Sequence, residues 1–180
     1  MLIFANYLLF LTLLRYLTEA KFVFELNDDF DLCSADVPMV AINFSLIEFI
    51  PIEGTSMRIA GKVGFIEDFA PPLQLNFRSM RLERGTWIPG EISRTETNLC
   101  LKLMSPMEPW FAVTRHFRQK RCPYKAGHFE TLSSIQVGSF GIDLPSSFAG
   151  DWKFFIEIER KSKGNVQKQC TTLTASVVEV

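Results

Sequence analysis

Histidine is scarce in this 180-residue chain, with only His116 and His128. Neither stands beside an Asp, Ser or Cys in a recognisable nucleophile setting. Gly-x-Ser-x-Gly, His-Glu-x-x-His and the phosphate-binding P-loop are all missing. With them go the local signatures of serine hydrolases, zinc proteases and nucleotide-binding enzymes. No Cys-x-x-Cys occurs, which weakens zinc and thioredoxin-like readings. Asp28, Asp29 and Asp31 gather, but Phe30 interrupts them and the glycine and glutamate of an EF-hand loop do not follow. A solvated acidic turn is the simpler reading. No carboxylate pair stands out for glycosidase chemistry. These absences argue against an enzyme, and neither a metal nor a cofactor is expected. The net charge is -1, so no cationic field recruits nucleic acid. Internal repeats, low-complexity segments and a second apolar run long enough to cross a bilayer are also missing.

Apolar residues are plentiful. Hydrophobic content is 47% against 22% charged, and phenylalanine occurs 17 times. That is a globular composition with material for a sizeable core. Residues 1–20 read as a signal peptide. Leu8 to Leu14 form its apolar run, and Thr18 and Ala20 put small residues at the two positions a signal peptidase inspects. The rival, a membrane anchor, is interrupted too early by Arg15. Cleavage removes one base and one acid, so the charge balance is unchanged, and it leaves residues 21–180 as a single domain without a linker. All four cysteines (Cys33, Cys100, Cys122 and Cys170) survive, and an even count in an exported chain implies disulfides, with three pairings open. Asn43-Phe44-Ser45 is the only N-glycosylation sequon.

Period-two alternation recurs. Val40, Ile42, Phe44 and Leu46 are set against Ala41, Asn43 and Ser45, which puts Asn43 on a polar face. Met57, Ile59, Val63 and Phe65 oppose Arg58 and Lys62; Leu73, Leu75 and Phe77 oppose Gln74, Asn76 and Arg78. Trp152, Phe154, Ile156 and Ile158 oppose Lys153, Glu157 and Glu159, and Leu173, Ala175 and Val177 oppose Thr172, Thr174 and Ser176. Such alternation predicts antiparallel strands with one wet face. Turn signals separate the runs at 51–54, Pro71-Pro72, Pro89-Gly90, Pro145, Gly150-Asp151 and 163–165. The expected fold is all-β, an antiparallel sandwich or barrel. One short helix is expected between Pro106 and Gln119, where Trp110, Phe111, Val113, Thr114 and Phe117 fall near helical spacing.

Charge is uneven. Residues 21–55 hold seven acids and one base, whereas residues 111–125 hold Arg115, Arg118, Lys120, Arg121 and Lys125 and no acid. A solvated face is the plain reading; a patch for anionic headgroups or an acidic partner is the sharper one. Between Met104 and Phe111, two prolines prevent a regular element while Met104, Met107, Trp110 and Phe111 would be costly to expose without a use. The segment is either a mouth loop that meets lipid or membrane, or an anchor that fixes the helix to the sheet.

Several of these features recur together in a known group. An early cysteine is followed by Asn98-Leu99-Cys100, Pro109-Trp110-Phe111, and Cys122-Pro123-Tyr124-Lys125-Ala126-Gly127-His128. Leu144-Pro145, Gly150-Asp151-Trp152 and a final Cys170 complete the order. Over nearly all of residues 21–180 this resembles the ganglioside-activator-like lipid-recognition proteins, nearest to the insect chemosensory protein B (CheB) group. The resemblance implies a two-sheet β-cup enclosing an apolar cavity. It implies pairing of Cys33 with Cys170 and of Cys100 with Cys122. The activator proteins carry further cysteines that pin their mouth loops, and this chain lacks them. In such a cup Phe44, Phe65, Phe77, Phe154 and Ile156 are the candidate lining, although each suits a filled core equally well. The implied function is a secreted, extracellular carrier or presenter of a lipid, hydrocarbon or other hydrophobic small molecule in pheromone or gustatory detection. The alternatives are a module that docks on a chemosensory receptor, channel or membrane surface through residues 115–125, and an activator of a glycolipid hydrolase.

Overall fold

The computed structural model describes residues 21–26, 30–52, 56–137, 140, 143–162 and 165–180. The leader at 1–20, Asp28, Asp29 and the turn signals at 53–54 and 163–164 lie outside them. The described chain forms two antiparallel sheets, as the alternation predicts. In sheet A the order is β1 (Phe22–Leu26), β10 (Asn165–Glu179), β9 (Gly150–Ser162), β6 (Leu73–Glu83) and β7 (Thr86–Glu96), with β2 (Asp31–Leu32) pairing farther along β10. Sheet B has β5 (Ser56–Phe65) at its centre. β8 (His128–Gln136) pairs one edge of β5, and β3 (Ile42–Asn43) and β4 (Ile47–Ile52) pair the other in succession. The two sheets stack as a sandwich and do not close into a barrel.

Most of the alternating strands take the phases read from them: Met57, Ile59, Val63 and Phe65 are buried while Arg58 and Lys62 are exposed, and Leu73, Leu75, Trp152, Phe154, Ile158, Ala175 and Val177 are buried. β10 departs where Thr172, read as wet-facing, is buried and Leu173 is only half-buried. In β8 the phase is kept by an insertion. Ile59 faces Ile135 but Gly61 faces Leu132, so Ser133 and Ser134 share one position, and Ser134 takes φ 52°. Without that bulge Ile135 would turn outward.

Three expectations change. The 40–46 run is not one strand. Asn43 Oδ1 accepts the Ser45 N–H at 2.8 Å and Ile47 N–H reaches Phe44 C=O at 2.9 Å, so the chain turns after two strand residues. Ala41, ahead of β3, is buried with its N–H donating to Gln169 Oε1 at 2.7 Å, whereas Val40 and Leu46 are exposed. Pro89 and Gly90 lie inside β7, an edge strand where a missing N–H costs nothing. The reversal falls instead at Arg84-Gly85, both with positive φ, a two-residue turn whose twist suits a hairpin. Gly90 is required for a different reason: a Cβ there would stand 2.6 Å from the Trp152 ring and 2.5 Å from Ser79 Oγ. Finally, a helix not expected from the sequence, α1 (Leu99–Lys102), precedes the prolines, and the helix expected between Pro106 and Gln119 is present but confined to α2 (Phe111–Thr114), with Pro106 and Pro109 in the tight turns before it.

The core falls into two clusters. The larger lies between sheet B and the Leu73–Leu75 and Ile158 region of sheet A, and takes in Leu99, Leu103, Phe117 and Tyr124 from the chain between β7 and β8. The smaller is built on sheet A alone, from Phe24, Trp152, Phe154, Ala175 and Val177, capped by Leu144. Half-buried Leu26 and Phe140 touch both. Sheet B thus covers only part of sheet A.

Candidate functional site

Where the two clusters part, the inward face of sheet A carries Phe77 on β6 opposite Ile156 on β9. Along β6, Leu75 and Ser79 on either side of Phe77 are buried; along β9, Phe154 and Ile158 on either side of Ile156 are buried. Phe77 and Ile156 themselves are only half-buried. Aromatic rings back this spot. Phe77 stacks on Phe154 at 5.5 Å, Phe154 meets Phe24 edge-on at 5.7 Å, and Trp152 stacks on Phe148 at 5.4 Å. Trp152 is held there by its Nε1–H, which donates to Phe148 C=O at 2.7 Å. On the sheet B side, half-buried Ile47 and Phe49 pack against the larger cluster, and Phe44 stacks on Phe30 at 4.4 Å. Phe65 is different. Its ring is 2% exposed, stacked 4.3 Å from Tyr124 and flanked by Phe69 and Phe117, so it belongs to the filled part of the core.

The excursion between β7 and β8 is closed by the Cys100–Cys122 disulfide, and Cys33–Cys170 ties β2 to β10. These are the two pairings that the resemblance implies. Within the excursion Met104 and Trp110 pack against the larger cluster. Trp110 Nε1–H donates to Lys102 C=O at 3.1 Å, and the Thr114 hydroxyl donates to Leu103 C=O at 2.6 Å. Phe111 is half-buried. Met107 and Leu101 point out, at 88% and 78% exposure the most exposed of the large apolar side chains described. Flanking them in the chain, Asn98 and Glu108 mark the polar side: Asn98 Oδ1 is buried without a hydrogen-bond partner among the described residues, and Glu108 is buried against Arg94. Arg94 makes a fork, Nε to Oε2 at 3.1 Å and Nη2 to Oε1 at 2.6 Å. Arg94 faces Phe77 across the β6–β7 pairing. The ion pair therefore brings the Met104–Phe111 loop to the level of the half-buried Phe77 and Ile156. Nothing in the sequence links position 94 to position 108.

A second polar centre fixes the basic end of the excursion. Glu130, an inward position of β8, is fully buried. Its carboxylate accepts the N–H groups of Arg118 at 2.6 Å and Gln119 at 2.9 Å, and lies 2.7 Å from His128 Nε2. Burial pushes the Glu130 pKa up, but the hydrogen bonds from His128, Gln119 and Arg118 outweigh it and hold the carboxyl below its ordinary value. Tyr124 donates its hydroxyl to Gln119 C=O at 2.7 Å, and burial raises its pKa. Arg115, Arg118, Lys120 and Arg121 stand exposed on the loop so held. Partial burial, then the charges of Arg115 and Lys120, lower the pKa of His116 among them.

Asn43 lies on the outer face of sheet B, away from this region. The described residues contain no cluster of His, Cys, Asp and Glu able to hold a metal ion, and no helix long and apolar enough to cross a membrane. Comparison of the sequence with protein-family models and with curated proteins finds no match.

Proposed function

We propose that the protein is a secreted binder of a lipid, hydrocarbon or other hydrophobic small molecule, acting as a carrier or presenter of the kind that the chemosensory protein B resemblance implies. The observation that carries this reading is the incomplete burial of Phe77 and Ile156 in mid-sheet, between inward positions that are sealed. A filled sandwich interdigitates its two inner faces throughout. A sandwich that leaves paired apolar positions open in its middle has room for an apolar guest. Each methylene buried there contributes about 0.8 kcal/mol, so a tail of roughly ten contributes on the order of 8 kcal/mol before association costs. The adjoining loop supplies an adaptable methionine, Met107, at the surface, and the Arg94–Glu108 pair positions it.

Native mass spectrometry with organic extraction, on protein secreted from insect cells, tests the reading. The expected result is a co-purifying apolar molecule that is lost on denaturation and excluded by Ile156→Trp without loss of fold. A clean apo mass, with no uptake from a hydrocarbon and fatty-acid panel, overturns it. A second reading then takes its place: a module that docks on an acidic receptor or anionic membrane. It is favoured by exposed Leu101 and Met107 on the same disulfide-closed excursion as the Arg115–Arg121 bases. Reversing Arg118, Lys120 and Arg121 to glutamate would abolish such docking and leave cargo uptake intact.

A further inference from the structure

On the outer face of sheet B, Asn43 of β3 lies opposite Gly64 of β5, and Gly64 lies opposite Phe129 of β8. The three form one row across the strands. A Cβ at Gly64 would stand 2.8 Å from Phe129 Cε1 and 3.5 Å from Asn43 Cβ. The Phe129 ring thus lies over the bare glycine and reaches toward Asn43. It buries Gly64 while remaining 46% exposed itself. Asn43 begins the Asn43-Phe44-Ser45 sequon, and its Oδ1 is occupied by the Ser45 N–H at 2.8 Å. Its Nδ2, the atom that takes a sugar, bonds to no described residue. Ser45 and Leu46 are exposed, so a transferase can reach the turn.

We propose that Asn43 carries an N-linked glycan whose first N-acetylglucosamine packs its C–H face on the Phe129 ring. Nδ2 of Asn43 attacks the anomeric carbon of a lipid-pyrophosphate-linked oligosaccharide. The N–C bond forms, the C–O bond to pyrophosphate breaks, and one Nδ2 proton leaves with the lipid pyrophosphate. A pyranose ring has one face made mostly of C–H groups, which suits an aromatic face and removes both from water. Gly64 is what permits the approach, since any side chain there would lift the ring away. The glycan covers an apolar side chain that otherwise faces solvent. The proposal requires passage through the export pathway and is independent of any cargo.

The test uses the full chain, secreted from cells that make high-mannose glycans, with Ser45→Ala as the unglycosylated form. That variant keeps Asn43 and its turn, because the turn uses the Ser45 backbone. Mass spectrometry should find Asn43 occupied. Loss of the glycan should lower Tm by about 3 °C, while trimming to a single N-acetylglucosamine should leave Tm unchanged. In a Phe129→Ala background the same loss should move Tm by less than about 1 °C, the signature of coupling between ring and sugar. An unexported or unmodified Asn43 overturns the proposal, as does an equal Tm loss with and without Phe129. If Phe129→Ala dissociates a dimer that glycan removal leaves intact, the ring meets a second copy and the sugar packing falls.

Discussion

Glu130 shows how one buried carboxylate can organise a surface. It holds two consecutive backbone N–H groups and His128, and the exposed bases of the excursion hang from those N–H groups. In Glu130→Gln the amide nitrogen confronts an N–H it cannot accept from, so the variant should lose about 3 kcal/mol of stability in urea unfolding. The pH dependence has a definite sign. A carboxyl whose folded pKa lies below its unfolded value stabilises the fold above the ordinary carboxylate range, and that stability is lost as pH falls toward the folded value. Acid titration below about pH 4.5 should therefore destabilise the native protein more than Glu130→Gln. Gly90 answers to sterics alone. Gly90→Ala drives a methyl group into Trp152 and Ser79, and should cost about 2 kcal/mol, read as a lowered Tm. Neither role is legible in sequence. Glu130 looks like one more charge in a mixed strand, and Gly90, after a proline, looks like a turn.

Among the elements, legibility follows locality. β5, β6 and β9 carry their alternation over long runs that their buried faces follow, whereas β10 follows it only at Ala175 and Val177, since Gln169 to Thr172 are all buried. The strand read over 40–46 is too long because an Asn side chain captures a neighbouring N–H and ends β3 after two residues. The helix read between Pro106 and Gln119 from apolar spacing is only four residues long, Phe111–Thr114, and the helix at Leu99–Lys102 is too short to carry a period of its own. The geometry of the excursion between β7 and β8 depends on Cys100–Cys122. On the chain-entropy account that bridge, closing a 22-residue separation, contributes about 3 kcal/mol, and Cys33–Cys170, closing 137, about 5. Replacing Cys33 and Cys170 with serine should thus lower Tm more than replacing Cys100 and Cys122. The second pair should act locally, with hydrogen exchange rising around Leu99, Leu103 and Phe117, the excursion residues seated in the larger cluster.

At the scale of the molecule, the all-β architecture was legible because β5, β6, β9 and the end of β10 each declare a wet face, whereas β7 and β8 carry no such run. The candidate lining was legible only in part. Phe65 and Phe77 obey the same alternation, yet one is sealed against Tyr124 and the other is half-open. What separates them is how far sheet B extends over sheet A, a long-range property that no local pattern encodes. The Arg94–Glu108 pair, which sets the loop beside Phe77, is hidden for the same reason.

Cys33–Cys170 also governs how the molecule would behave when cut. Arg84 sits exposed at the tip of the β6–β7 hairpin with positive φ, a suitable point for trypsin. Any single cleavage between Cys33 and Cys170 leaves both pieces joined through sulfur. Protein nicked at Arg84 should run as one species on a non-reducing gel and as two after reduction. Backbone integrity and covalent integrity are thereby separated, so a clipped molecule can persist in the presence of protease without shedding a fragment.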